Sequence, residues 1–361
     1  MQHTLTASAQ IVSAKQQPNC AIRRHFIGTN AAPPRPALAA VSSSLRASAF
    51  VPSGASLRAV PFKAMTRTHS TTARRPLKVS ALTVKEEIVI IQTPTGPMHT
   101  LVLSPTAPGR YPAILLYSEI FQVTGPIRRS AQIMACHGFV VAVPDIYHEQ
   151  EAPGSCMLYD GPGAERGNFL KISKPMHAFD SDAHAAIQHL KSHSQSTGKV
   201  GTMGFCVGGH LAYRAALHPD VRSASCWYPT DIHKGSPDST IKRPARNGGS
   251  MGTTCDTCHR TPEFAAKGTE LLMIFGRQDP HIDVWGRKRI RNALADSNVH
   301  FSWHEFNGQH AFMRDEGYRY DAELALQCYQ MAINLFRRTL HEGDLPVPSG
   351  QQDDGNVESK H

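Results

Sequence analysis

Gly204-Phe205-Cys206-Val207-Gly208 sets a cysteine between two glycines. The run before it, Lys199 to Met203, can form a short strand, and Gly209 to Leu217 carries a helical pattern. That is the context of a nucleophile elbow, the sharp strand-to-helix turn that lifts a reactive side chain to the top of a sheet. The reactive atom here is sulfur, so the chemistry on offer is that of a thiol nucleophile. The glycines let the backbone turn tightly and a neighbouring chain approach, and the head of a helix favours a thiolate. Taken alone, the same five residues also suit a buried structural cysteine in a glycine-rich turn.

Such a nucleophile needs a base and a group that orients the base. Gly276-Arg277-Gln278-Asp279-Pro280-His281 follows one apolar run, and Phe306-Asn307-Gly308-Gln309-His310-Ala311-Phe312 follows the next. Both segments sit at the predicted carboxyl ends of strands, which face the ligand crevice in open parallel sheets. Cys206, Asp279 and His310 can converge there, in the chain order nucleophile, acid, histidine. His310 would take the Cys206 proton and later activate water, while Asp279 orients the ring. Each has a plainer reading by itself, Asp279 as a turn former before proline and His310 as a surface histidine.

The elements that must position these residues are legible as alternating patterns. Residues 87–91 and 98–103 read as a hairpin joined by a Pro-Thr-Gly-Pro turn. Short apolar runs follow at 111–117, 139–143, 199–203, 224–228, 271–275 and 300–304, which suit buried parallel strands. Helical patterns lie between them at about 127–137, 180–193, 207–217, 283–295 and 320–339. The expected fold is α/β, a mostly parallel central sheet flanked by helices on both faces. Residues 146–177 read as a Gly/Pro-rich excursion and 229–269 as a polar insertion. Cys136, Cys226 and Cys328 fall in helix or strand patterns and read as core residues, and the histidines outside motifs read as surface groups.

Together the cysteine elbow, Gly276-Arg277-Gln278-Asp279-Pro280-His281 and Gly308-Gln309-His310-Ala311-Phe312-Met313-Arg314 resemble the dienelactone hydrolases, or carboxymethylenebutenolidases, of the α/β-hydrolase class. The resemblance runs from about Val84 to Leu340. It implies that Glu119, in Tyr117-Ser118-Glu119-Ile120-Phe121, modulates the thiol; the plainer reading is a strand-end glutamate facing solvent. It also implies an oxyanion hole from the backbone N–H groups of Ile120 and Val207. Arg314 matches one of two arginines with which the family binds a substrate carboxylate. The second is missing: where the family reads Pro-Asp-Leu-Tyr-Ala-Arg, this chain reads Pro144-Asp145-Ile146-Tyr147-His148-Glu149.

A thiolate leaves a tetrahedral intermediate more readily than an alkoxide does, because thiols are the stronger acids. Cysteine therefore suits esters with stabilised leaving groups, such as enol lactones, aryl esters or thioesters. The expected function is a cysteine-dependent hydrolase of activated esters or lactones acting through an acyl-enzyme. The alternative is a non-catalytic or redox-gated small-molecule binding protein on the same fold.

Charge is distributed unevenly along the 361 residues. Residues 1–85 hold twelve Lys or Arg and no acidic residue, which leaves 26 basic against 29 acidic residues in the remainder. Residues 1–80 read as an organellar transit peptide, rich in Ser, Thr, Ala and Pro, with a plastid favoured over a mitochondrion. Residues 81–341 read as the hydrolase domain and 342–361 as a disordered tail. Without the leader no basic patch survives for nucleic acid, and no run approaches the ~18 apolar residues of a membrane span. Cys255-Asp256-Thr257-Cys258-His259 fits a haem-attachment pattern or a redox dithiol, and His259 and His233 are conceivable zinc ligands. Its polar neighbours argue against haem and its spacing against zinc, leaving a redox pair of Cys255 and Cys258 or an inert loop. No cofactor or metal is expected.

Overall fold

The computed structural model describes residues 82–234 and 257–340. The expected leader, the tail and Cys255 lie outside the described residues. Val84–Thr93 (β1) and Gly96–Pro105 (β2) form an antiparallel hairpin that turns at Gly96, φ 130°. Six further strands follow: Tyr111–Tyr117 (β3), Val140–Pro144 (β4), Ser196–Phe205 (β5), Val221–Trp227 (β6), Glu270–Gly276 (β7) and His300–Phe306 (β8). They assemble in the order β1-β2-β4-β3-β5-β6-β7-β8. β2 is antiparallel to β4, and every pair from β4 onward is parallel. The central runs Ala113-Ile114-Leu115-Leu116 and Val140-Val141-Ala142-Val143 are fully buried, because helices cover both faces of a parallel sheet.

Seven α-helices are described: Gly125–Cys136 (α1), Gly161–Ser173 (α2), Met176–Ser192 (α3), Val207–Ala215 (α4), Pro262–Lys267 (α5), Val284–Asp296 (α6) and Ala322–Leu340 (α7). α7 buries Ala325, Cys328, Ala332, Ile333, Leu335, Phe336 and Leu340, the stripe that helical periodicity presents to a sheet. Successive residues of β5 assign the two layers. Gly201 faces Phe336 of α7, whereas the Thr202 hydroxyl donates to the Ala212 carbonyl of α4 at 2.8 Å. α1 joins α7 through Ser130 and Tyr329, whose hydroxyls are 2.6 Å apart. This is the α/β-hydrolase architecture, and the carboxyl ends of β3 to β8 open toward one rim. Among the described residues no helix is long and apolar enough to cross a membrane.

Five expectations need correction. Residues 146–177 contain α2, which its three glycines and lack of an apolar stripe conceal in the sequence; Asp160 starts it by accepting from the Gly163 N–H at 2.8 Å. α3 begins at Met176, four residues before the expected start. Residues 257–267 of the polar insertion form a 3₁₀ turn and α5, and Thr257 is buried against α4. Cys136 is exposed at the end of α1, while His210 and His233 are buried rather than on the surface.

Candidate active site

Cys206 stands between β5 and α4 at φ 58°, ψ −122°. A non-glycine residue in this region stores about 1–3 kcal/mol of strain and persists only when its surroundings over-determine it. Those surroundings are tight. A Cβ on Gly204 would lie 2.1 Å from the Gly208 carbonyl oxygen, and one on Gly208 would lie 2.2 Å from that of Ser118. The first turn of α4 is thus pressed against the end of β3. Cys206 N–H donates to the Trp227 carbonyl, and Thr230 N–H donates to the Cys206 carbonyl, each at 3.1 Å, so the elbow is also tied to β6.

Asp279 follows β7 and His310 follows β8, and both are buried. His310 Nδ1 donates to Asp279 Oδ2 at 2.6 Å, and Asp279 Oδ1 accepts from the His281 N–H at 2.8 Å. The Cys206 side chain lies near enough to the same imidazole to act on its charge. Burial works against a charge on His310, but the Cys206 sulfur and the Asp279 carboxylate outweigh it and raise the ring to about 10. The His281 ring lies 4.6 Å from it, centre to centre. Burial, reinforced by the His310 charge, pushes His281 down to about 4. Two adjacent imidazoles are thereby driven apart in acidity.

Glu119 is buried in the segment after β3, and its Oε2 accepts from Arg314 Nη1 at 3.3 Å. Its hydrogen-bond partner is therefore Arg314. The Arg314 guanidinium lies 4.1 Å over the Tyr159 ring. Glu119, Ile127, Ser130, Phe205, Tyr228 and Arg314 bound a cavity of about 10 Å³, room for one water. Ile120 adjoins Glu119, and Val207 opens α4, where the first N–H groups have no intrahelical acceptor. The Gly208 contact with Ser118 brings these two backbone segments together.

Glu149 is turned to a different task. It pairs with Lys174 Nζ at 2.7 Å, and the same ammonium binds Asp182, which His148 also contacts at 3.1 Å. Lys174 thus engages both carboxylates of the one His/carboxylate cluster of metal-ligand spacing among the described residues. Cys258 is half-buried in the 3₁₀ turn. Sequence reasoning passed over Tyr228 and Asp231. Tyr228, at φ 38°, packs edge-on against His310 at 5.0 Å. Asp231, at φ 68°, is buried between two lysines. Their place just after β6, on the rim that carries ligands in such sheets, was the available signal.

Residues 98–340 match the model of the dienelactone hydrolase family. The "Putative carboxymethylenebutenolidase" of Saccharomyces cerevisiae is 36% identical, over 75% of this chain and 96% of its own length. The carboxymethylenebutenolidase of Pseudomonas putida is 28% identical over 44% of this chain and 75% of its own length. Among solved structures, the "Putative Dienelactone Hydrolase" of Klebsiella pneumoniae superposes with a TM-score of 0.58 at 21% identity, covering 71% of this chain and 99% of that one, a likeness of fold. The sequence match over most of the chain and the shared architecture lead to one conclusion: this chain belongs to the dienelactone hydrolase family.

Proposed function

We propose that the protein hydrolyses activated esters or lactones through Cys206, His310 and Asp279. His310 accepts the Cys206 proton as sulfur attacks the substrate carbonyl carbon. The oxyanion that forms is met by the N–H groups of Ile120 and Val207, and the positive end of α4 adds to the field there. Collapse expels the leaving oxygen, which takes the proton from His310, and leaves a thioester on Cys206. A water, deprotonated by His310, then attacks the thioester carbon; the acid is released and the thiol is restored. Asp279 holds the ring and stabilises its cation throughout. Arg314 presents a cation beside the site, with Glu119 as its partner in the resting enzyme.

The observation that carries this reading is Cys206, in a strained elbow, whose sulfur acts on the charge of an imidazole with its Nδ1 held 2.6 Å from a buried aspartate. Isolated structural cysteines have no need of such a partner. Turnover of p-nitrophenyl acetate and of an enol lactone, compared between the wild type and Cys206→Ala, tests it. Loss of at least about 10³-fold in kcat is expected, with iodoacetamide modifying Cys206 in the wild type. Equal turnover by the two proteins would refute the assignment. The acid-free, Ser/Thr/Ala-rich leader supports a plastid location, which imaging of a fluorescent fusion to residues 1–80 tests.

A further inference from the structure

α2 follows β4 in sequence, yet its contacts lie further along the sheet. Its Gly167 packs so closely on the segment after β3 that a Cβ there would lie 2.5 Å from the Ile120 carbonyl oxygen. One turn later, Lys171 Nζ reaches Asp231 Oδ2 at 2.9 Å, in the segment after β6. In the strand order β4-β3-β5-β6, a link from β4 to β6 crosses the carboxyl ends of β3 and β5. Those ends carry Ile120 and Cys206. The helix therefore lies across the groups that attack and stabilise the carbonyl.

Little apolar burial holds it there. Leu170 is its one fully buried large apolar side chain, whereas Phe169 is 58% and Ile172 42% exposed. Gly167, in the interior of the helix, lowers its intrinsic propensity by about 1 kcal/mol relative to alanine. Its two ends are anchored: Tyr159 and Thr124 share a 2.6 Å hydroxyl bond, and Lys174 binds the Ile146 carbonyl, Glu149 and Asp182. Between the anchors the polar tie across the crevice is Lys171 to Asp231. Lys234 Nζ lies 2.8 Å from the other oxygen of Asp231, so breaking the tie does not strand a lone buried carboxylate.

Resting on the hydrolase reading above, we infer that α2 is a cover over Cys206, latched by Lys171 to Asp231, whose middle lifts to admit the ester or lactone. Lys171 is a positioning residue: it acts through the helix that bears it and not on the reacting atoms.

The rate at which iodoacetamide modifies Cys206, followed by peptide mass so that Cys136 and Cys156 are read separately, measures access without requiring turnover. Lys171→Met is expected to speed modification about tenfold or more, and Lys171→Arg to return it to the wild-type rate. Arg166→Ala removes an ion pair to Glu151 within the same segment, not across the crevice, and is expected to leave the rate unchanged. A Lys171→Met rate equal to the wild type, or an equal gain in Arg166→Ala, would overturn the latch. Hydrogen exchange of the wild type gives an independent reading should Lys171→Met misfold. Amides of 163–173 are expected to exchange about 100-fold faster than those of 207–215, and equal protection would overturn the cover. Failure of the hydrolase reading shows elsewhere, as Cys206→Ala turnover equal to the wild type.

Discussion

His210 makes the helix that follows Cys206 sensitive to acid. Its ring is completely buried one turn into α4, with Nε2 2.7 Å from the Thr257 hydroxyl. Burial is the main force holding it neutral; Arg214 and Lys171 add to that, Asp231 opposes it, and its pKa is pushed down to about 3. In the unfolded chain a histidine titrates near 6.5. Between those values the unfolded chain binds a proton that the native state refuses, so stability falls as pH drops below about 6.5. From pH 7 to 5 the loss is about 1.5 units of 1.36 kcal/mol, or about 2 kcal/mol. His210→Gln keeps an amide for Thr257 but does not titrate. It starts less stable, through altered packing, yet should lose about 2 kcal/mol less over that interval. Urea denaturation followed by tryptophan fluorescence at pH 7 and 5 reads this as a difference of roughly 0.7 M between the two midpoint shifts, for a slope near 3 kcal/mol/M. His233 and His281, also lowered, titrate in both proteins and cancel in the comparison. Equal losses in the two proteins would refute the claim that burial keeps His210 uncharged.

Two substitutions test the site itself. Gly208→Ala must push the elbow and the Tyr117-Ser118 backbone apart by about 1 Å, since its Cβ would sit 2.2 and 2.5 Å from their carbonyl oxygens. It should lower kcat about 10²–10³-fold while Cys206 still reacts with iodoacetamide; full activity would show that the two N–H groups do not act together. Asp279→Asn should lower kcat about 10³–10⁴-fold and bring the His310 pKa down from about 10, seen by NMR titration of the ring; a loss under tenfold would remove Asp279 from the mechanism.

All eight strands and five of the seven helices were legible, because their apolar periodicities are local properties of the chain. The parallel runs at 113–116 and 140–143 announce burial on both faces, and α7 announces one. α2 was not legible. Its glycines and exposed Phe169 and Ile172 contradict a helical pattern, and it forms because Asp160 caps it while Ile120 and Asp231 meet it from separate segments. Cys136 lies in a helical pattern yet is exposed, since the buried stripe of Ile127, Ser130, Ala131, Met134 and Ala135 leaves it on the outer face with Arg129 and Gln132.

Residue identity and order along the chain determined which groups meet: the Gly-flanked Cys206 and the strand-end Asp279 and His310 carry their chemistry in their types and positions. Tertiary structure decided what each one faces. Glu119 is engaged by Arg314, Glu149 is spent on Lys174, and Asp231 is drawn under α2 by Lys171, because ion pairs form between residues 25 to 195 positions apart that only the folded sheet brings within reach. A pattern of side chains reports local periodicity; distance, burial and the resulting charge state of His310 or His210 exist only once segments far apart in sequence exclude water together.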